Sequence, residues 1–412
     1  MASLQDIAQQ YVALVLAVGP HDPDYVDAYY GPPAWKAAFE AQPRTLTELG
    51  LEVDQILRRL GSLDHSLPAG AEREALMSGW RKTFLIKQLG ALRTHLAGLQ
   101  GLRLPFDEES VALYDAAAPA RAEGEFQVVV DVLDRALPGA GTVLDRYVAF
   151  RSQFIVPPER LSRTFEAAIG ACRERTVRAL PLPASEAFTL EFVTGKSWSG
   201  YNWYQGQFRS LIQVNTDLPV HIDRALDLAA HEGYPGHHVH NVLLEQHLVG
   251  ERGWMEFTVY PLFSPQSLVA EGIANCAADM AFPAPERLAF ERDVLFPLAG
   301  LDPSTATRYA TVSALVEKLS HAGTEAARRL LDGRLDDEGA VQWLEEYALH
   351  SRPRAEQRVR FIRQYRSYVI NYTRGRELVE GWLARTSGED RARRWANLGD
   401  LMSSPRLASS LQ

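Results

Sequence analysis

The sequence predicts a mainly α-helical protein with one small β-sheet set beside its principal helix. Three observations predict it: apolar residues recur at helical spacing through most of the chain, Pro and Gly gather at short corners, and one central interval turns β-favouring. The 412 residues are 46% hydrophobic and 23% charged, which suits a folded chain with a substantial core and excludes disorder, collagen and disulfide scaffolds. Lys and Arg number 43 against 52 Asp and Glu, a net charge of −9, so non-specific nucleic-acid binding has no electrostatic footing.

Taken in order, the N-terminal stretch SLQDIAQQYVALVLAVG reads as a first amphipathic helix and not as a signal peptide. Asp6 stands where positive charge would be needed, and Gln9 and Gln10 interrupt the apolar run. Leu49, Val53, Ile56 and Leu60 form a helical stripe, as do Phe165, Ile169, Cys172 and Thr176. Corners are expected at Gly31-Pro32-Pro33, Leu137-Pro138-Gly139, Val156-Pro157-Pro158 and Leu180-Pro181-Leu182-Pro183. Cys172 and Cys276 lie in Ala-rich helical stretches and read as small buried thiols. No run approaches the roughly 18 apolar residues of a membrane span, so no membrane partner and a cytoplasmic location are expected. The chain divides into a helical region over 1–185 and a region over 186–412 that carries the sheet and the functional residues, the two packing as one compact unit.

The β-favouring interval holds FTLEFV and SLIQVN with the loop KSWSGYNWYQG between them. Trp198, Tyr201, Trp203 and Tyr204 crowd that loop and either wall a ligand cleft or cap the core. With Gln213 and Asn215 on the following strand they are the candidate substrate contacts.

Six of the eleven histidines follow closely: His221, His231, His237, His238, His240 and His247. At their centre is HEGYPGHH, and a His-Glu pair with further His on a helix is the pattern of a zinc hydrolase, in which the Glu takes a proton from the activated water. The usual second ligand stands at i+4, about 6 Å away on the same helical face, but here that position is Pro235. On a straight helix His237 sits roughly 240° round from His231, and His238 lies about 10.5 Å further along. Pro235 and Gly236 allow the Tyr-Pro-Gly segment to bulge out two residues, which returns His237 to the i+4 role, with His238 as the alternative. Without a metal, the same segment is a helix break carrying solvated histidines.

A third ligand is expected from SLVAEGIANCAADMA, where Glu271 stands in a nearly uncharged, Ala-rich helix and needs something positive to meet it. Asn275 and Asp279 follow at i+4 and i+8 and are candidates to hold a ligand histidine's other ring nitrogen. Tyr365, Tyr368 and Tyr372 share one face of a later helix and offer a donor for a developing oxyanion; nearby Arg366, Arg374 and Arg376 could recognise a substrate carboxylate. One zinc per chain is expected, although two His and one carboxylate also suit iron, manganese or cobalt.

His-Glu-x-x-Pro-Gly-His-His, Glu271-Gly272 and Tyr372-Thr373-Arg374-Gly375, together with DPDYVDAYYGPP and SGYNWYQGQFRSLIQVNTDLP, resemble a large, mostly bacterial family. That family is known as a domain of unknown function and is grouped with gluzincin-type zinc metallopeptidases. The resemblance implies a helical, zincin-like body, zinc ligands at His231, His237 and Glu271, general acid/base at Glu232, and an oxyanion donor at Tyr372; Tyr368, on the same tyrosine face, is the alternative that the spacing offers. It also implies that the strand at about Ser210 to Asn215 is a sheet edge able to pair with an extended peptide. The expected activity is hydrolysis of a peptide or peptide-like amide bond. The alternatives are the same chemistry on a small-molecule amide or amino-acid conjugate, and a metal-binding scaffold without turnover.

Overall fold

The computed structural model describes residues 3–41, 43–63, 72–196 and 198–412, and helices form most of them. Ser197 of the aromatic loop lies outside the described residues. Local chemistry sets the first helices. Ser3 and Asp6 cap Leu4–Val18 reciprocally, Thr45 and Glu48 do the same for Leu46–Ser62, and each pair satisfies donors that the first turn leaves free. Leu49, Val53, Ile56 and Leu60 are all buried, as their spacing predicts. The N-terminal helix departs from simple amphipathicity, because Leu14 to Val18 are buried at every position and the last turn is enclosed by protein.

Five strands form two sheets. β1 (Val26–Tyr29) pairs antiparallel with β5 (Val259–Pro261), and the register slips between Val26 and Ala28 so that Asp27 is an extra, bulged residue. β2 (Ala187–Val193), β3 (Gly200–Gly206) and β4 (Arg209–Asn215) form the second sheet in the order β2-β4-β3. This corrects two expectations. The aromatic segment is not a loop between strands, because most of it is β3 itself. β4 is not an edge: β2 flanks it in parallel and β3 antiparallel, so the strand with a free side toward the functional residues is β3.

One hydrophobic core runs from Ile7 to Leu411, drawing on both the 1–185 and the 186–412 regions. At its centre the helix Pro265–Ala281 lies against Ile370–Ser387, with Gly272 facing Gly375. A Cβ on Gly272 would lie 2.4 Å from the Gly375 carbonyl oxygen, so the helices approach closely only because both residues lack side chains. That contact brings Glu271 next to the tyrosines near position 370. Both cysteines are free and buried. Among the described residues, no helix is long and apolar enough to cross a membrane.

Candidate metal centre

The HEGYPGHH segment breaks its helix where Pro235 and Gly236 demand it. Ile222–Leu228 is α-helical, Ala229–Gly233 widens into a π turn, and a new helix runs His237–Leu244. The Tyr234 N–H donates to the Ala229 carbonyl at 3.0 Å and the Gly236 N–H to the Ala230 carbonyl at 2.9 Å, so the bulge keeps its backbone groups bonded. A Cβ on Gly236 would lie 1.9 Å from the His231 carbonyl oxygen, which makes glycine a requirement of the passage.

The bulge brings His231 and His237 together, with ring centroids 4.8 Å apart and planes at 82°. Glu271 arrives from the central helix. Its Oε2 is 3.5 Å from His231 Nε2 and its Oε1 is 3.8 Å from His237 Nε2. One nitrogen or oxygen from each of the three lies within 4.8 Å of the others, the only such grouping among the described residues that could hold a metal ion.

The electrostatics of this cluster favour a cation. Burial pushes His231 well below its usual range, aided by His237, and lowers His237 to about 4, so both rings are neutral near pH 7, the form that binds metal. Glu271 is only 7% exposed, and burial raises it to about 7 despite a hydrogen bond from the Tyr368 hydroxyl at 3.0 Å. Glu271 Oε2 is buried with no hydrogen-bond partner. Glu232 is raised to about 8, by burial first and then by Glu271. Two neutral imidazoles, an orphaned carboxylate oxygen and a second buried carboxyl fit a divalent ion with an open coordination position.

Glu232 stands on the π turn, where Asn202 of β3 donates to its carbonyl at 2.7 Å. Gly200 makes room for it, since a Cβ there would lie 2.9 Å from Glu232 Oε1. His238 points elsewhere. Its ring meets Glu186 Oε2 at 3.0 Å and Ser210 Oγ at 2.8 Å, and Tyr234 and Arg173 complete the same network. His238 therefore ties the helix to the sheet, and His237 is the histidine that faces His231.

Other sequence-predicted residues divide. Tyr372 lines the cavity beside the cluster, whereas Tyr368 is committed to Glu271. Neither Asn275 nor Asp279 meets a ligand ring. Asn275 donates to the Glu271 backbone carbonyl at 2.7 Å, and Asp279, about 12 Å along the axis from Glu271, pairs with Arg376 at 2.8 Å. Arg376 also holds Glu317 at 2.6 Å, Arg366 holds Glu109 and Arg374 holds Glu377, so these three arginines already have partners. Trp198, Tyr201, Trp203, Tyr204 and Asn215 line the cavity, though Asn215 spends its amide on the carbonyls of Lys196 and Trp198 and Tyr204 donates to Glu245. Gln213 does not line the cavity; it accepts a hydrogen bond from Trp203 and donates one to Glu191.

Sequence reasoning gave Asp27 no role. The β1 bulge leaves it half-buried, loss of hydration raises it to about 7, and Tyr201 donates a hydrogen bond to it. The available signal was a single carboxylate within the aromatic run YVDAYY. Asp27, His231, Glu232, His237, Glu271 and Tyr372 line one cavity of about 1550 Å³.

No family model matches this chain, and neither does any curated protein. Solved structures do. A candidate lipoprotein from Colwellia psychrerythraea superimposes with a TM-score of 0.52 at 14% identity, over 89% of this chain and 68% of that one. A second candidate lipoprotein, of unknown function, from Shewanella oneidensis gives a TM-score of 0.47 at 14% identity, over 92% of this chain and 75% of that one. The first likeness concerns the fold alone.

Proposed function

We propose that this chain is a zinc-dependent hydrolase of peptide or peptide-like amide bonds, built on a gluzincin-like helical body. The observation that carries the reading is the convergence of His231, His237 and Glu271, with Glu271 Oε2 buried and unpartnered, beside a buried Glu232. A divalent ion held by those three residues would supply Lewis-acid polarisation of the scissile carbonyl and acidify water at its open position.

The chain's own groups supply the rest. Glu232 accepts the attacking water's proton and returns it to the leaving amine, so no net proton is gained or lost. The Tyr372 hydroxyl donates toward the oxygen on which negative charge develops. Tyr368 holds Glu271 by Oε1 and leaves Oε2 toward His231. A cavity of about 1550 Å³ exceeds what a small amide needs and favours a peptide. A scaffold without turnover gives Glu232 no duty.

The test is elemental analysis of protein purified without added metal, for wild type and for His231→Ala, His237→Ala, His238→Ala and Glu271→Ala. The expected result is near one zinc per chain, lost on changing His231, His237 or Glu271 and retained by His238→Ala. Wild type that stays metal-free after zinc is supplied overturns the reading.

A further inference from the structure

The same cavity is lined by Arg151, Arg224, Arg354 and Arg358. Elsewhere on its wall arginines are answered by carboxylates: Arg287 by Asp227 and Glu291, Arg376 by Asp279 and Glu317. Here, among the described residues, the carboxylate that answers is Asp223, which Arg151 holds at 3.3 Å. Among the described residues, no carboxylate comes within ion-pair range of Arg224, Arg354 or Arg358, and the groups that act on Arg354 are chiefly other arginines.

Arg354 and Arg358 lie one turn apart on the helix Arg352–Tyr365, both toward the cavity, where like charges at i and i+4 repel. Arg354 is exposed and Arg358 half-buried, and partial loss of hydration on the cavity wall lowers both, Arg354 to about 10 with Arg151 and Arg224 adding to it. The nearby histidines do not share the charge: burial and the arginines lower His221 to about 4 and His350 well below its usual range. The positive patch therefore persists across neutral pH. It also adjoins the reacting groups. The Arg358 guanidinium carbon is 5.7 Å from the Tyr372 ring centroid, and Arg224 acts electrostatically on Glu232 and His231.

Several guanidinium groups set on one cavity wall without a carboxylate between them repel one another unless a ligand supplies a counter-charge, and their planar fork matches a carboxylate. We propose that Arg354 and Arg358, with Arg224 beside them, form a subsite for a carboxylate of the substrate, so that this protein selects peptides carrying a free carboxylate close to the bond at Glu232. The reacting bond rests on the amide-hydrolase reading; the subsite does not. Arg366, Arg374 and Arg376 are excluded from this role by their existing partners.

The test is calorimetric binding to zinc-loaded Glu232→Gln protein of three peptides: Ala-Ala-Ala with a free C-terminus, its C-terminal amide, and Ala-Glu-Ala amide. The free acid should bind about tenfold to a hundredfold more tightly than its amide, and Arg354→Gln and Arg358→Gln should each erase most of that ratio. Arg374→Gln should leave it intact. Because removing one of two repelling arginines relieves strain on the fold, both variants should melt no lower than the parent. Recovery of tight binding by Ala-Glu-Ala amide assigns the carboxylate to an acidic side chain; failure to recover assigns it to the C-terminus. Equal binding of all three peptides, or of none, overturns the subsite. Discrimination by the variant protein without cleavage by wild type would keep the subsite and discard the hydrolase; cleavage indifferent to the carboxylate would do the reverse.

Discussion

Two His/Glu clusters lie within a few residues of each other on the broken helix, and they are finished to different degrees. In one, His238, Ser210, Tyr234 and Arg173 surround Glu186 and every strong group has a partner. Burial would raise Glu186, but hydrogen bonds from His238, Tyr234 and Arg173 outweigh it and hold the carboxyl at about 2. In the other, His231, His237 and Glu271 approach each other, yet one carboxylate oxygen bonds to nothing and the carboxyl rises to about 7. The same residue types thus serve cohesion where their bonds close and leave a buried carboxylate oxygen unpartnered where they do not.

The comparison is broken most severely at Glu232. Glu232→Gln should lower peptide turnover by about 10²–10⁴-fold while zinc content stays near one per chain, since a proton acceptor is lost and no metal ligand is. Undiminished turnover would remove the catalytic half of the contrast.

Next in size is the response to zinc. Glu232 and Glu271 have folded pKa values raised to about 8 and about 7, above the usual carboxylate value of about 4.5. Their neutral forms favour the fold of the metal-free protein below that value, and this contribution is lost as pH rises through 7 and 8. Zinc should therefore raise the melting temperature more at pH 8 than at pH 6, reaching about 4 kcal/mol at a thousandfold excess over Kd. A zinc-induced shift that shrinks as pH rises contradicts the unfinished cluster.

His238→Ala sharpens the other side. It deprives Glu186 and Ser210 of a buried partner and should cost about 2–3 kcal/mol in chemical denaturation, with zinc stoichiometry unchanged. Loss of metal instead would make His238 a ligand. The smallest effect is expected from Asp279→Asn: its pair with Arg376 is half-exposed, so stability should move by under about 0.5 kcal/mol and metal content not at all.

Much of this was legible in residues whose environment is local. The stripe Leu49, Val53, Ile56, Leu60 announces its helix, Pro235 and Gly236 announce the break, and a lone Glu271 among alanines announces a carboxylate buried beside other polar groups. What escaped depends on partners distant in sequence. Whether β4 is central or an edge depends on which strands flank it, and nothing in SLIQVN encodes that β2 pairs alongside. Arg376 reads as free until Glu317 and Asp279 are brought beside it, while Arg354 and Arg358 look like ordinary solvated charges in the basic run RPRAEQRVRFIRQY. Asp27 is hidden for the same reason, since only pairing with β5 turns it inward.

That β1–β5 pairing also bears on biosynthesis. A ribosome releases Asp27 first, the histidines later and Tyr372 later still, and one cavity is lined by all of them. A fragment that lacks either β1 or the helix Ile370–Ser387 lacks part of that cavity's wall.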